Sequence, residues 1–275
     1  NIYFSTNSDT EVVANSYMHF GEKSFNYFDG MWAIAIYDRE KKEILLSRDY
    51  VGQKPLFYAK NDNYYIFSSQ LSGIILDKNS SKKVSRKNLQ KYFTYSFIPA
   101  PHTLFENIYQ LEPGENILIN LQNLNINKKK YWDLKNGADY NTFFNKIPES
   151  QFKQQFESII QQHSIADKLP ALSLSGGIDS YIVMNYFTEL KKNCSSFTLG
   201  FENKSFDESK YVKKIKKKLN KKIHYANEKE LISSFLKLSK LISEPIGDSS
   251  MIPTYIIHNK IKDYSNVCLG GDGGD

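Results

Sequence analysis

Ala171-Leu172-Ser173-Leu174-Ser175-Gly176-Gly177-Ile178-Asp179-Ser180 begins as a short apolar run and breaks off in Ser-Gly-Gly-x-Asp-Ser. A helical pattern follows at once, with Ile182, Val183, Tyr186, Phe187 and Leu190 on one face. This predicts a strand, a tight loop and a helix N-terminus, a geometry suited to phosphate. Backbone N–H groups at a helix start lack intrahelical partners, and the helix dipole favours an anion there. Gly176 and Gly177 carry no Cβ, so a phosphate can approach the backbone closely. Ser175 and Ser180 add hydroxyl donors. Asp179 would repel a bare phosphate but fits well if Mg2+ lies between the carboxylate and the phosphate oxygens. A helix terminus contributes roughly 0.3–1 kcal/mol per charge. That is too little for a nucleotide triphosphate by itself, which also argues for a metal. The Walker pattern is absent, since no Lys follows the glycines. A ligand-free strand-to-helix turn capped by Asp179 or Ser180 fits the same six residues.

The chain has 275 residues, enough for two ordinary domains. Its 40% hydrophobic and 24% charged content is that of a globular protein. No apolar run approaches the length of a membrane span, and no signal peptide is visible. A start at Asn1 rather than Met and an end inside a Gly-rich run read as an internal fragment. Cys194 and Cys268 sit beside apolar runs without a C-x-x-C, which predicts buried free thiols in a reducing, cytoplasmic compartment. The histidines show no metal-ligand spacing. The net charge of +6 is spread through a Lys-rich composition. Its densest run, Lys213 to Lys218, has Val212, Ile215 and Leu219 at helical spacing. That is a solvated helix face rather than a nucleic-acid patch.

From Asn1 to about Trp132 the pattern is a helix followed by β-type runs. Thr10–Phe20 reads as a helix capped by Ser8 or Asp9, with Glu11 in its first turn. Strands are expected at Trp32–Tyr37, Ile44–Ser47, Leu56–Ala59, Tyr64–Ser68 and Asn116–Leu121. Trp32–Tyr37 is almost continuously apolar, so both of its faces are expected to be covered. Asp133–Ser150 is polar and reads as a linker. Beyond it, a helix at Gln151–Gln162 precedes strands at Ala171–Leu174, Ser196–Phe201, Ile223–Tyr225 and Asn266–Leu269. These alternate with helices at Tyr181–Lys191, Glu208–Leu219, Lys229–Ile242 and Pro253–Lys262. The alternation predicts a parallel, doubly wound sheet, which binds ligands at the carboxyl ends of its strands. Ser175–Ser180 and Gly270–Asp275 both fall at such ends.

Several motifs occur in the order and spacing of one family. They are Ser8-Asp9-Thr10-Glu11, Phe28-Asp29-Gly30-Met31-Trp32-Ala33, Arg48-Asp49 with Gly52 and Lys54-Pro55-Leu56, Phe67-Ser68-Ser69, and Leu111-x-Pro113-Gly114. After them come Ser175–Ser180, Ser196–Phe201 with Asp207-Glu208 and Tyr211, Glu244–Ser250 with Pro253 and Tyr255, and Leu269–Asp275. The chain resembles the glutamine-hydrolysing asparagine synthetases over nearly its whole length. The resemblance implies that residues 1–132 are the C-terminal part of a class II, N-terminal-nucleophile amidotransferase domain, an αββα sandwich. Residues 133–150 would be the linker, and 151–275 the N-terminal part of an N-type ATP pyrophosphatase domain.

The same resemblance implies roles for single residues. Asp9 would hold the α-amino group of glutamine, with helix capping as its alternative. Leu174 and Leu199 would flank the adenine of ATP, beside Ser175, Gly176, Gly177, Asp179 and Ser180. Gly270 and Gly271 would approach the nucleotide through their backbones, and Asp179 and Asp275 would coordinate Mg2+. Asp272 would handle the proton of attacking ammonia or orient aspartate, with a turn Asp as its alternative. Glu244 and Asp248 are weaker candidates for the substrate pocket. Gln70 stands where the family has Glu, and Gly270 where it has Ser. The nucleophilic Cys is expected upstream of Asn1, and a Glu and a catalytic Lys downstream of Asp275. The implied reaction is ATP-dependent amidation of aspartate by ammonia from glutamine, through a β-aspartyl-AMP intermediate. Amidation of a sugar-linked or secondary-metabolite carboxylate, β-lactam closure, and a non-catalytic homologue remain open. So does the oligomeric state, a homodimer included. Neither nucleic acid nor membrane is an expected partner.

Overall fold

The computed structural model describes residues 3–134, 148–190, 194–216 and 219–273. The chain divides into two compact units, one of Asn1–Phe144 with Ser243–Gly247, the other of Asn145–Ile242 with Asp248–Asp275.

The first unit opens with α1 (Asp9–Phe20), capped by Ser8, whose side chain accepts from the Thr10 N–H at 3.2 Å. Glu11 in its first turn accepts from the backbone N–H groups of Ser5 and Thr6 and from both their hydroxyls. A 3-10 turn (Gly21–Tyr27) leads to β1 (Ala33–Asp38) and β2 (Glu43–Arg48). Then come β3 (Phe57–Lys60), β4 (Tyr65–Ser68), α2 (Leu71–Ile75), α3 (Arg86–Tyr95), β5 (Ile108–Gln110), β6 (Glu115–Asn120) and β7 (Ile126–Lys130). The strands form two antiparallel sheets, ordered β1-β2-β6-β7 and β4-β3-β5.

Side-chain alternation then sets four layers. Leu46, Ile117 and Ile119 of the larger sheet meet Leu56, Tyr58 and Leu111 between the sheets. On the larger sheet's other face, Leu45 packs with Tyr17 of α1, Phe25 and Trp32. Beneath the smaller sheet, Phe57, Ala59 and Ile108 meet Leu71 and Ile74 of α2. This is the αββα arrangement. Strand β7 is exposed throughout and carries Lys128, Lys129 and Lys130, charges that discourage edge-to-edge pairing. One expectation fails. Strand β1 is the other edge of its sheet; Ile34 and Ile36 are covered on one face, but on the other only Ala33 packs between the sheets while Ala35 and Tyr37 are exposed.

The second unit runs α4 (Glu149–His163), β8 (Ala171–Ser173), α5 (Ile178–Leu190), β9 (Ser195–Phe201) and α6 (Ser209–Lys214). It continues with β10 (Asn220–Ala226), α7 (Glu228–Leu241), α8 (Met251–Ile261) and β11 (Cys268–Leu269). The sheet is parallel, in the order β10-β9-β8-β11. Both faces are covered. Leu172 and Leu174 pack with Ile160 of α4, Met184 and Phe187 of α5 and Val212 of α6. On the other face Ala171 and Phe197 meet Ile257 and Ile261 of α8. Helix α6 stops well short of Leu219. Ile215 turns extended, the Lys221 ammonium reaches back to the Ile215 carbonyl, and parallel pairing with Ser195 has already begun at Asn220. Lys213 and Lys214 of the Lys-rich run are in the helix, and Lys216 lies beyond it. The linker lies largely outside the described residues.

Candidate functional site

The strand order places the switch point of the parallel sheet between β8 and β11. Strands β9 and β10 are laid down on one side of β8, and β11 returns on the other. At such a point the loops after the two central strands diverge and leave a crevice at their carboxyl ends, where ligands bind. The two Gly-rich loops are the ones that follow β8 and β11.

In the first loop Gly176 has φ +98°, a conformation L side chains rarely adopt. A Cβ there would also lie 3.0 Å from the Glu208 carbonyl oxygen and 3.4 Å from Tyr211 Cβ. The serines knit the loop together. Ser180 Oγ donates to the Gly177 carbonyl (3.1 Å) and accepts from the Ser175 N–H (3.3 Å), while Ser175 Oγ accepts from the Gly177 N–H (3.2 Å). The two hydroxyl oxygens are 3.0 Å apart. The Ser180 hydroxyl is buried and bonds within the loop, to the Gly177 carbonyl and beside the Ser175 hydroxyl, so it shapes the loop. The groups left to face an anion are backbone N–H groups at the start of α5 and the hydroxyl of exposed Ser175.

Gly271 brings the second loop against the first. A Cβ on it would lie 2.4 Å from the Ser180 nitrogen, 2.8 Å from the Asp179 carbonyl carbon and 2.9 Å from Asp179 Cβ. The two loops therefore touch backbone to backbone, with half-buried Asp179 at their junction. Gly270 and Asp272 are exposed beside it. Burial pushes the Cys268 thiol up to about 11, and the charge of Asp272 adds to the effect. Asp275 lies outside the described residues. Among the described residues no three His, Cys, Asp or Glu side chains are grouped to hold a metal. Mg2+ binds through one or two carboxylates, waters and substrate phosphates rather than in an all-protein cage. Asp179 offers one such carboxylate, in the first turn of α5 where a helix N-terminus favours an anion.

Leu174 and Leu199 are not brought together. Leu174 is 1% exposed in the core beneath α4, α5 and α6, whereas Leu199 packs on the α8 face. The Leu174 N–H and carbonyl are engaged by the Phe197 carbonyl and by Thr198 Oγ1. Asp248 forms a local turn, accepting from the Ser250 N–H and hydroxyl at 2.8 Å each, which hold its carboxyl below the usual range. Glu244 belongs to the first unit. Burial raises its carboxyl pKa, and it accepts from the Leu104 N–H at 2.6 Å.

In the first unit Asp9 is exposed and lines an open cleft of about 1070 Å3. Asp29, Gly30, Met31, Trp32, Lys54 and Ser69 share the lining. Ser8 is the cap of α1, which leaves the Asp9 carboxylate free of that duty. Sequence reasoning assigned no role to Arg48 and Asp49, and these organise the rim. Arg48 is buried and donates to the carbonyls of Gly52, Lys54 and Leu111. Asp49, fully buried, accepts from the N–H groups of Trp32 (3.3 Å), Gln53 (2.8 Å) and Lys54 (2.9 Å). Two of those residues line the cleft. The available signal was an adjacent pair of opposite charges closing an apolar strand.

Residues 1–132 match the sequence profile described as a glutamine amidotransferase domain, and residues 151–275 match that of asparagine synthase. The chain is 35% identical over 285 residues to a Methanocaldococcus jannaschii protein named "Putative asparagine synthetase (glutamine-hydrolyzing) 2", covering 100% of this chain and 54% of that protein. It is 27% identical over 274 residues to asparagine synthetase (glutamine-hydrolyzing) 1 of Bacillus subtilis, covering 99% of this chain and 43% of the relative. The chain thus spans about half the length of these relatives.

Proposed function

The chain belongs to the family of glutamine-hydrolysing asparagine synthetases, and from that premise we propose that the whole protein converts aspartate to asparagine with ATP and glutamine. ATP binds at the β8–β11 crevice, its phosphates against the start of α5. The aspartate β-carboxylate attacks the α-phosphorus, the bond to the bridging oxygen breaks, and β-aspartyl-AMP and pyrophosphate form. Ammonia then attacks the acyl carbon and AMP leaves. Glutamine supplies that ammonia, and Asp9 holds its α-ammonium group by a charge-assisted hydrogen bond. Asp179 and Asp275 would hold Mg2+, which when bound neutralises phosphate charge. Asp272 takes the proton of the attacking ammonia or orients aspartate. Water must be kept from the acyl-adenylate, which would otherwise hydrolyse.

The observation that carries this reading is the contact of Gly271 with the Asp179–Ser180 peptide. It joins the two loops into one crevice at the place where a parallel sheet binds ligands. The test is pyrophosphate release by the full-length protein with ATP, Mg2+ and aspartate, given glutamine or ammonium. Asparagine formed from both donors supports the whole proposal. Turnover with ammonium alone confines it to the second unit. Release independent of aspartate points to another acceptor.

A further inference from the structure

Behind the first Gly-rich loop, on the side away from β11, lies a group of side chains that the proposed reaction does not use. Tyr225, near the carboxyl end of β10, lays its ring across Gly200 of the neighbouring strand β9. A Cβ at Gly200 would stand 2.5 Å from Tyr225 Cε1 and 2.7 Å from Cδ1, so the ring can lie there only over glycine. The phenol oxygen is 2.8 Å from Ser209 Oγ. Ser209 is fully buried and is itself fixed by Asp207, which accepts from its N–H at 3.1 Å and from its hydroxyl at 3.0 Å. The Lys213 ammonium sits 5.2 Å from the centre of the Tyr225 ring, and its nearness lowers the phenol pKa. Ser209 and Lys213 are both on α6, so Tyr225 grips that short helix at its first and last turns.

The same first turn of α6 is what Gly176 rests on. Its surroundings are the Glu208 carbonyl and the Cβ atoms of Glu208 and Tyr211. A six-residue helix has little intrinsic stability and takes its position from tertiary contacts. We infer that Tyr225 is a positioning residue for the ATP-phosphate loop, acting through Ser209 and Lys213 on α6 and through α6 on Gly176. This rests on the ATP-binding reading of that loop and adds to it the element that sets the loop's place. Tyr225 touches no reacting atom in this assignment. A shift of α6 would carry Gly176 and the neighbouring N–H groups away from the phosphates.

The test is a double-mutant cycle in the full-length protein with Tyr225→Phe and Ser209→Ala, titrated with ATP and Mg2+ and assayed for pyrophosphate release. Each single variant is expected to weaken ATP binding roughly three- to tenfold, the scale of one lost hydrogen bond in a positioned network. The double variant should be no weaker than the worse single one, because both remove the same bond. The KM for ATP should rise while the KM for aspartate stays put, a split that a general loss of stability would not produce. Unchanged ATP affinity in Tyr225→Phe, or losses that simply add in the double variant, would overturn the inference. If the native protein binds no ATP, the functional reading itself fails, which the native titration alone reveals. Gly200→Ala is a second probe. It displaces the Tyr225 ring without removing the hydroxyl, and it should raise the same KM.

Discussion

Gly271→Ala tests the crevice most directly. The added methyl would meet the Ser180 nitrogen at 2.4 Å and two Asp179 carbons at 2.8 and 2.9 Å. Comfortable contacts of this kind lie near 3.5 Å, so the loops would have to part by about 1 Å. All the opposing atoms are backbone or Cβ, and no flexible side-chain end is available to yield. Overpacking of this sort costs about 1–3 kcal/mol, which for a protein of this size lowers Tm by roughly 2–10 °C. The functional loss should be larger in proportion, because a displacement of about 1 Å between groups that share a substrate can cost ~100-fold in rate. Gly270→Ala is the matched control for stability. Its methyl would find only Asp272 Oδ2 at 3.7 Å and Ser173 Cβ at 4.0 Å, ordinary contacts. The assay is pyrophosphate release from ATP, Mg2+, aspartate and ammonium by the full-length protein, with thermal unfolding measured alongside. Activity of Gly271→Ala within threefold of native, at unchanged Tm, would refute the claim that the two loops form one site. Equal losses of Tm in both alanine variants would refute the geometric distinction between the glycines.

Three further outcomes are expected. Asp179→Asn keeps the shape of the side chain but removes the charge proposed to face Mg2+; pyrophosphate release should fall ~100-fold or more with unfolding unchanged, and native turnover would exclude the metal role. Asp49→Ala strips acceptors from three backbone N–H groups, each costing about 1–3 kcal/mol when left unsatisfied; the urea midpoint should drop clearly, and a midpoint equal to native would contradict the hub assigned to it. For Glu11, the Ser5 backbone N–H, followed by the Thr6 hydroxyl, lowers the carboxyl from 4.5 to about 2. A lowered folded pKa stabilises above the unfolded value and is lost as pH falls through the folded one. Native protein should therefore lose stability between about pH 4.5 and 2 relative to Glu11→Gln, and parallel urea midpoints across that range would exclude the effect.

The fold was legible where period and punctuation agreed, and α2, α3, β5 and β7, where they did not, were not anticipated. Alternating apolar residues gave the antiparallel strands, and strand–helix alternation gave the parallel sheet. What could not be read was partnership. Trp32–Tyr37 looks like a strand covered on both faces, yet only neighbours in space decide coverage, and β1 borders an open cleft. The periodicity of Glu208–Leu219 favours a helix throughout. The end of α6 is instead set by β10 pairing from Asn220 onward, a contact between strands that the helix pattern does not register.

The candidate site divides along the same line. Residue types identified the loops, because glycine and aspartate at a strand end have few other uses. They did not separate side chains that would face the ligand from those that hold the frame. Ser175 and Ser180 read alike in sequence, yet the structure leaves one exposed and buries the other in the turn it stabilises. Gly270 and Gly271 read alike too, but only Gly271 is required by packing. Tyr225 and Ser209 carried no signal, since a tyrosine in a strand and a serine opening a helix are unremarkable types. Their consequence arises from Gly200, whose missing side chain makes room for the ring. A loop that binds phosphate with backbone N–H groups gains its specificity from where the backbone is held. The residues that hold it are therefore chosen for fit against the loop's back, and motif reading, which weighs chemistry facing the ligand, passes over them.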